Sequence, residues 1–572
     1  MSALSFPEVI GPPIAERLTM RKSTPPGTSL LLVFVLALIP RFIGALWLPN
    51  AFGDAYAYTE QIYYLRRALL NGSFSPSNLF GFWLPLYQLI CACISAIIGS
   101  PFYVPKLVSA FGGAGVCVLV SLLTYDLTQR RRLSFAAAAI VALNPYHIFY
   151  SSSAMTDVPH AFFILLCAYC CIRDRWLLAS LCGLAAGLMR IESWILIPLI
   201  PLAQYLTYSQ STIGSSNGLV SSYRRSLWRR FFGPIIGGLV LAAGPCFWLF
   251  VSWKASGSFG RYFEIRNNYI VETLAANPWL ASFSIPRVAF DFLRLLYTAH
   301  PLVMYAAIVV LAIVIRTSGN AGAPVATKRP GPLRILLQTG EGLLLTFFFS
   351  HLIFLLLAYF TNNQPEIWPR YGLLFFTLGV PLLASLASKR MSQTHNCELQ
   401  TVTDYLRKGA ATVYVTAAFF AVQFCVQLID VTRITVKSDP NAVTAEFLGH
   451  QQQADPSTRI YCEDGAIRVL SGIPLEEFKD QYNSPAADDD AFLASLRSNQ
   501  IRFLVYKELP GSRLRGIIAR LRTRTRSTGI TLEEINPKPA KNAKDVVVVY
   551  RIHDRELAKT ERRSPATRYR RQ

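Results

Sequence analysis

Five ionisable residues stand at the ends or breaks of apolar runs, where charge is costly unless it has work to do. Asp54 follows the run "SLLLVFVLALIPRFIGALWLP" and opens "GDAYAYTEQIYYLRRALLNG". Asp157 lies in "SSSAMTDVP", Arg190 and Glu192 in "RIES", and Arg370 in "WPRY". Carboxylates can take a proton from a hydroxyl or orient it. Arginine forks can balance a phosphate, and two carboxylates can share a divalent metal. Gathered at one membrane face, such groups suit transfer from a lipid-linked phosphosugar, with apolar helices cradling a polyprenyl tail. That chemistry needs no nucleotide-binding fold, and no phosphate-binding glycine pattern is visible. Tyr56, Trp83, Tyr87, His160 and Tyr371 lie close enough in sequence to line such a site. Each acidic residue alone has a plainer reading. Asp157, two residues before Pro159, suits a helix N-cap.

The elements that must carry these residues are those of a polytopic membrane protein. Of 572 residues 52% are hydrophobic and only 16% charged, far from a soluble domain of this size. Apolar windows of spanning length recur to about residue 430, and each span needs roughly 20 residues. The formal charge of +22 resides in Lys and Arg clusters between apolar runs, where the positive-inside rule places them, and does not point to nucleic acid.

Those clusters set a topology. Arg21 and Lys22 put the start of the first span inside, so residues 29–48 cross outward and Asp54 emerges outside. Two apolar runs then precede Arg130, Arg131 and Arg132. If both crossed, the triple arginine would lie outside. Only the second is therefore expected to cross. The first, with Trp83, Pro85 and Tyr87, is expected to lie along the outer interface. Residues 133–150 return outward to Asp157, and 158–172 lead in to "RDR". The run 176–207 is read as two short helices with "RIES" at an outer turn, since a charged pair at mid-membrane would be costly. Residues 231–252 exit, 253–298 form a long outer loop, 299–315 enter, 342–360 exit, 371–388 enter and 411–430 exit. This expects about eleven spans. It places Asp54, Asp157, Arg190, Glu192 and Arg370 on one face.

Four regions follow: a cytoplasmic segment 1–28, a membrane domain 29–430, an outer α/β domain 431–555 and a basic tail 556–572. The outer domain is read from strand-like "RIYCED", "IRFLVYK" and "DVVVVYRI", separated by helical "DDDAFLASLRSNQ" and "GSRLRGIIARLRTR". Its basic helix and tail could touch lipid headgroups or an anionic substrate. Most of the eleven cysteines sit in apolar runs, and the lone Cys462 in the outer domain gives no disulfide framework.

The motifs, taken together, resemble the GT-C membrane glycosyltransferases. "GDAYAYTEQIYYLRRALLNG" looks like that family's first outer loop, where an Asp precedes a tyrosine-rich amphipathic helix. "FWLPLYQLI" resembles its "PPLY" segment, with Leu84 in place of the first proline. "SAMTDVPHAFF" is similar to its "S/T-E-P" loop, with Asp157 for Glu and Val158 inserted. "GLAAGLMRIESWILIPL" looks like "GLTRYEGW", with Ile191 and Ser193 for Tyr and Gly. "WPRYGLLFFTLGVPLL" resembles the late "RY" entry into a span. The resemblance covers about residues 30–390 and leans toward the protein mannosyltransferase and aminoarabinose transferase branch. It implies an inverting transfer from a polyprenyl-phosphate sugar to a glycan, lipid or protein acceptor. Asp54 would be the catalytic carboxylate and Asp157 a second acidic group. Arg190 and Glu192 would shape the donor site, and Arg370 would contact the lipid phosphate. A divalent metal on Asp54 and Asp157 is a possibility, though no His/Cys/Asp cluster supports a tight site. The chain fits a bacterial inner membrane, and an endoplasmic reticulum membrane would give the same topology. A transporter or flippase of a lipid-linked or anionic glycan is the main alternative. It would need mid-membrane charges and repeat-related broken helices, and neither is evident. A lipid-binding scaffold would not need the gathered carboxylates. A glycan ligase would lean on the arginines of loop 253–298, namely Arg261, Arg266, Arg287 and Arg294.

Overall fold

The computed structural model describes residues 27–51, 53–211, 231–320, 336–394, 402–437, 439–480, 488–507, 514, 517–520, 530–535 and 547–554. The terminal segments, the arginine-rich stretch around Arg224 and Arg229, and most of the stretch 513–526 read as a basic helix lie outside them.

Six helices are long and apolar enough to cross a membrane: Gly27–Trp47, Val104–Thr128, Gly233–Ser256, Gly340–Phe360, Pro369–Lys389 and Thr416–Thr435. Two bent pairs raise the number to eight if each is one span: Arg131–Leu143 with Pro145–Ser151, bent 65°, and Ile285–Ala299 with Pro301–Ile315, bent 88°. Both bends fall just before a proline, which cannot donate a backbone hydrogen bond and pushes the preceding residue out of the helical region. The first break is held from the neighbouring span. Fully buried Arg41 donates to the carbonyls of Val141 and Ala142, both at 3.3 Å, and to His147 Nδ1 at 2.7 Å. Helices Asp157–Ile172, Trp176–Gly187 and Leu196–Ser211 are shorter. An expected eleven crossings needs all three to span as well. By length and composition the number is six to eight.

Three further stretches lie outside the six long apolar helices. Leu86–Ile98 has 13 residues, about 20 Å of helix against a hydrocarbon layer of about 30 Å. Pro85 stands at its N-cap and breaks nothing. This is the segment read as lying along the interface. The helix Gly53–Leu70 carries Asp54 in its first turn, where the positive end of the helix dipole favours a carboxylate. The stretch expected to be a loop, 253–298, is mostly helical: Arg261–Ala276, Pro278–Ala281 and Ile285–Ala299.

Beyond Lys437 the helix Asp439–Ala454 leads into a five-stranded mixed sheet of order β2-β1-β3-β5-β4. Its strands are β1 Arg459–Cys462, β2 Phe478–Lys479, β3 Ile501–Lys507, β4 Ile530–Ile535 and β5 Val547–Asp554. The central strand β3 is apolar on both faces. Phe503 and Val505 pack with Leu448 and Ile467 on one side, and Leu504 and Tyr506 pack with Phe492 and Leu496 on the other. That explains why "IRFLVYK" reads as a continuous apolar run and not an alternation.

The domain docks on the helix Gly53–Leu70. Arg468 Nη2 donates to Glu60 Oε2 at 3.0 Å, its Nε lies 2.8 Å from Glu60 Oε1, and its Nη1 pairs with Asp480. Tyr63 donates to Glu476 at 3.0 Å, and Arg67 pairs with the same carboxylate. Tyr56 packs with Ala466 and Val469. Burial raises the Glu60 carboxyl, Arg468 pulls it part of the way back, Asp480 and Asp464 push it up again, and it settles at about 7. A carboxyl raised from an unfolded 4.5 to about 7 gives stability that is full below about 4.5 and lost as pH climbs through 7. Relative to Glu60→Gln, the wild-type protein should lose on the order of 3 kcal/mol over that window and nothing further above it. Thermal midpoints of both proteins in detergent against pH check this, and parallel curves would remove Glu60 as the titrating group.

Candidate functional site

Two backbone stretches run side by side at one end of the bundle. The exit of the first span, residues 48–58, is laced to the segment 152–156. Ala51 N donates to Ser153 Oγ at 3.0 Å, and Ala154 N donates to Asn50 Oδ1 at 3.0 Å. Tyr58 and Thr156 share a hydroxyl contact at 3.2 Å, and Ser152 Oγ donates to the Arg41 carbonyl at 3.0 Å. Asp54 and Asp157, a hundred residues apart in sequence, thereby open two neighbouring helices.

Each acid meets an arginine from a distant element. Arg370 Nη1, in the first turn of Pro369–Thr394, donates to Asp54 Oδ2 at 2.7 Å. Arg190 stands in extended backbone just before the short 3₁₀ turn Ile191–Ile195 that separates Trp176–Gly187 from Leu196–Ser211. Its two terminal nitrogens reach Asp157 Oδ1 and Glu192 Oε1, both at 2.7 Å. Asp157 is therefore not the cap of its helix. Thr156 occupies that position without a capping bond, and the Asp157 carboxylate is spent on Arg190. Tyr371 lies beneath both guanidiniums, 5.3 Å from that of Arg190 and 5.6 Å from that of Arg370. The break at "RIES" is what lets Arg190 turn outward to these partners.

The two aspartates differ in access. Asp54 is 37% exposed, and its Oδ1 carries no hydrogen bond among the described residues. Asp157 is 5% exposed, and its Oδ2 is buried without a partner. Burial would raise the Glu192 carboxyl, but the Arg190 charge and hydrogen bond outweigh it and hold it below the usual carboxylate range. Two guanidiniums (Arg190, Arg370) against three carboxylates (Asp54, Asp157, Glu192) leave one net negative charge.

The remaining expected residues divide. Trp83 stacks on Tyr58 with ring centroids 4.5 Å apart, beside the Asp54 helix. Tyr87 is fully buried, with its hydroxyl spent on Pro105 O at 2.9 Å and Ser109 at 3.0 Å, so it packs the interfacial helix and does not face the acids. His160 lies behind the site, where Nε2 meets Ser193 Oγ at 2.6 Å and steadies the turn that bears Glu192. Tyr56 turns toward the C-terminal domain.

The structure adds residues that the sequence did not single out for the site. On the helix Arg261–Ala276, Tyr262 packs on Trp248 and feels Glu192 and Arg190, while Tyr269 packs on Phe82 and feels Asp54 and Arg370. Partial burial, then Asp54, push the Tyr269 phenol up. Arg266 sits between them beside Tyr262 and donates to Asn363 O at 3.5 Å, with no carboxylate partner among the described residues. The signal was available as aromatic–basic–aromatic at i, i+4 and i+7, one face of a helix.

As a metal centre the donor set is thin. Asp54 and Asp157 each commit an oxygen to a guanidinium, and among the described residues no group of three His, Cys, Asp or Glu converges. The orphaned Asp157 Oδ2 is an acceptor that a substrate hydroxyl or one coordination position could use.

An apolar bundle that gathers carboxylates and arginines where its helices begin and break resembles the GT-C membrane glycosyltransferases in fold, and part of the chain matches a mannosyltransferase family model. Residues 32–190, from the first span through Arg190, match the family model of dolichyl-phosphate-mannose-protein mannosyltransferase. The structure is similar to that of ArnT from Cupriavidus metallidurans in the apo state. The two are 12% identical over 91% of this chain and 98% of that one, with a TM-score of 0.51. For ArnT bound to undecaprenyl phosphate the values are 13%, 92%, 98% and 0.50. The Archaeoglobus fulgidus oligosaccharyltransferase tethered to an acceptor peptide aligns more loosely, at 11% identity over 84% and 69% of the two chains and a TM-score of 0.43. No curated protein matches the chain by sequence.

Removing Arg190 would leave two largely buried carboxylates facing each other. Arg190→Ala should destabilise the protein by roughly 3–5 kcal/mol. Asp157→Asn, which still accepts the Arg190 hydrogen bond, should cost clearly less. Thermal unfolding in detergent checks the order, and equal midpoints would mean that Arg190 does not balance these acids.

Proposed function

We propose that this protein moves a sugar from a polyprenyl-phosphate donor to a hydroxyl-bearing acceptor at the extracytoplasmic membrane face, with inversion at the anomeric carbon. The observation that carries the reading is the asymmetry of the two aspartates. Asp54 is partly exposed with a free oxygen and is steered by Arg370, while Asp157 is buried and locked to Arg190.

Asp54 Oδ1 accepts the acceptor hydroxyl's proton, or orients that hydroxyl, while Arg370 holds the carboxylate in place through its other oxygen. The acceptor oxygen forms a bond to the anomeric carbon as the bond from that carbon to the phosphate oxygen breaks. The electron pair leaves on the polyprenyl phosphate. A single displacement of this kind inverts the centre. The site itself carries a net negative charge, so a departing phosphate needs a cation that is not already paired. Arg266 meets that need by charge, and Arg370 is released to share it once Asp54 takes up a proton. The acids Asp157 and Glu192 hold Arg190 against Tyr371, forming a rigid wall on the donor side.

Support comes from three sides. The family match covers Asp54, Asp157 and Arg190. The similar ArnT structure is one bound to undecaprenyl phosphate. The apolar bundle offers lipid-facing surface next to the site. On this reading the membrane is a bacterial inner membrane, with the C-terminal domain outside.

Asp54→Asn should lower transfer from a radiolabelled polyprenyl-phosphate sugar by about 10²–10⁴-fold, with donor binding little changed. Unchanged transfer would strip Asp54 of its role. Chelation of divalent metal should leave most of the activity, because the acids are balanced by arginines. Complete loss restored by Mg²⁺ or Mn²⁺ would recast Asp54 and Asp157 as metal ligands.

A further inference from the structure

The C-terminal domain has no part in the chemistry above, yet its firmest described contact with the membrane domain falls on the helix that presents Asp54. Asp54 and Glu60 lie on the same helix, under two turns apart. Glu60 is 17% exposed and is paired with Arg468, itself 13% exposed, through one hydrogen bond and a second close charge contact. Arg468 comes from the helix Gly465–Leu470, and that helix is fixed in turn. Asp464 caps it by accepting from Ala466 N at 2.8 Å, and Lys507 of β3 pairs with the same carboxylate at 3.1 Å. Gly465 lies against the helix as well: a Cβ there would stand 3.5 Å from Glu60 Oε1 and 3.8 Å from Tyr56 Cβ. A second grip, Glu476 on Tyr63 and Arg67, lies one to two turns further on.

The first turn of the Asp54 helix is held within the membrane domain by Arg370 and by the Tyr58–Thr156 contact one turn on. Its inner face packs on the interfacial helix Leu86–Ile98, through Ile62 and Leu65 in the core that holds Tyr87 and Cys91. Ala55 and Tyr58 also pack in the membrane domain's cores, so Asp54 answers to contacts on both sides of its helix. The outer domain supplies those on the outer side.

We propose that Arg468 is a positioning residue for catalysis: by gripping Glu60 it fixes the rotation of the Gly53–Leu70 helix, so that the outer domain sets the register of Asp54 against Arg370. This rests on Asp54 being the catalytic carboxylate. Arg468 also separates Glu60 from Asp480, so its removal leaves two carboxylates facing each other across the seam. A misplacement of about 1 Å at a reacting group can cost on the order of 10²-fold in rate.

The test uses the full-length protein in detergent or nanodiscs, with two independent readouts. Amide hydrogen exchange reports peptides covering 53–62 and 463–470. Transfer kinetics with a polyprenyl-phosphate sugar separate kcat from donor KM. Arg468→Ala should speed exchange in both peptides and lower kcat by about 10-fold or more, with donor KM shifting less than about twofold. Arg468→Lys, which keeps the charge and loses the fork, should fall between, and it stands in if the alanine variant does not fold. Adding Glu60→Gln to Arg468→Ala should recover part of the protection by relieving the facing carboxylates. Faster exchange with unchanged kcat overturns the proposal. So does exchange that rises at 463–470 and stays fixed at 53–62, since the membrane domain would then hold the helix alone. If the wild-type chain transfers no sugar from any such donor, the functional reading fails, while the exchange arm still decides whether the outer domain holds the helix.

Discussion

The site is organised by charge balance at a membrane boundary. Arginine and carboxylate side chains can sit at the edge of an apolar bundle only when each is matched, because stripping an ion of water costs several kcal/mol unless a partner and hydrogen bonds replace it. Arg190 answers two carboxylates and Arg370 a third. Much else follows from placing those two arginines. The apolar run 176–207 must break where Arg190 lies, and the span Pro369–Thr394 must begin with Arg370 at its outer end. The backbone must bring 50–58 and 152–156 side by side. A chain lacking one of these would bury an unanswered charge.

The same balance gives the two aspartates different work. Asp157 and Glu192 neutralise Arg190 and with it form a fixed wall, supported from behind by His160 on Ser193. Asp54 gives one oxygen to Arg370 and keeps the other for the solvent side. One carboxylate is structural and the other available, by environment more than by residue type. Over them lies the helix Arg261–Ala276, which brings two tyrosines and the carboxylate-free Arg266 to an otherwise acidic site.

The C-terminal domain enters through that logic too. Its mixed sheet is an ordinary two-faced α/β layer, but the loop and helix after β1 deliver Arg468 to a half-buried glutamate on the Asp54 helix. The seam is polar at its centre with an apolar margin of Tyr56, Ala466 and Val469, as expected of domains that share a chain and keep their own cores.

The sequence by itself determined the class of molecule, the setting apart of 86–98 from the long spanning helices, the break at "RIES" and the gathering of five charged residues at one end. These follow from local physics: span length, the cost of mid-membrane charge and the side taken by Lys and Arg clusters. The strands of the outer domain were legible for a similar reason, since β-branched and aromatic runs between turns have few other fates. Partner choice was not legible. That Arg370 takes Asp54 while Arg190 takes Asp157 and Glu192, that Tyr87 is packed away, and that Tyr269 reaches toward Asp54 all depend on which side chains meet across more than a hundred residues. Nor did composition reveal that 261–276 is a helix over the site, because its helical face is formed against Trp248 and Phe82 and not by its own periodicity alone. Local pattern sets where charge must leave the membrane. Only the packed bundle decides which opposite charge answers it, because that choice depends on distances between elements that no single segment encodes.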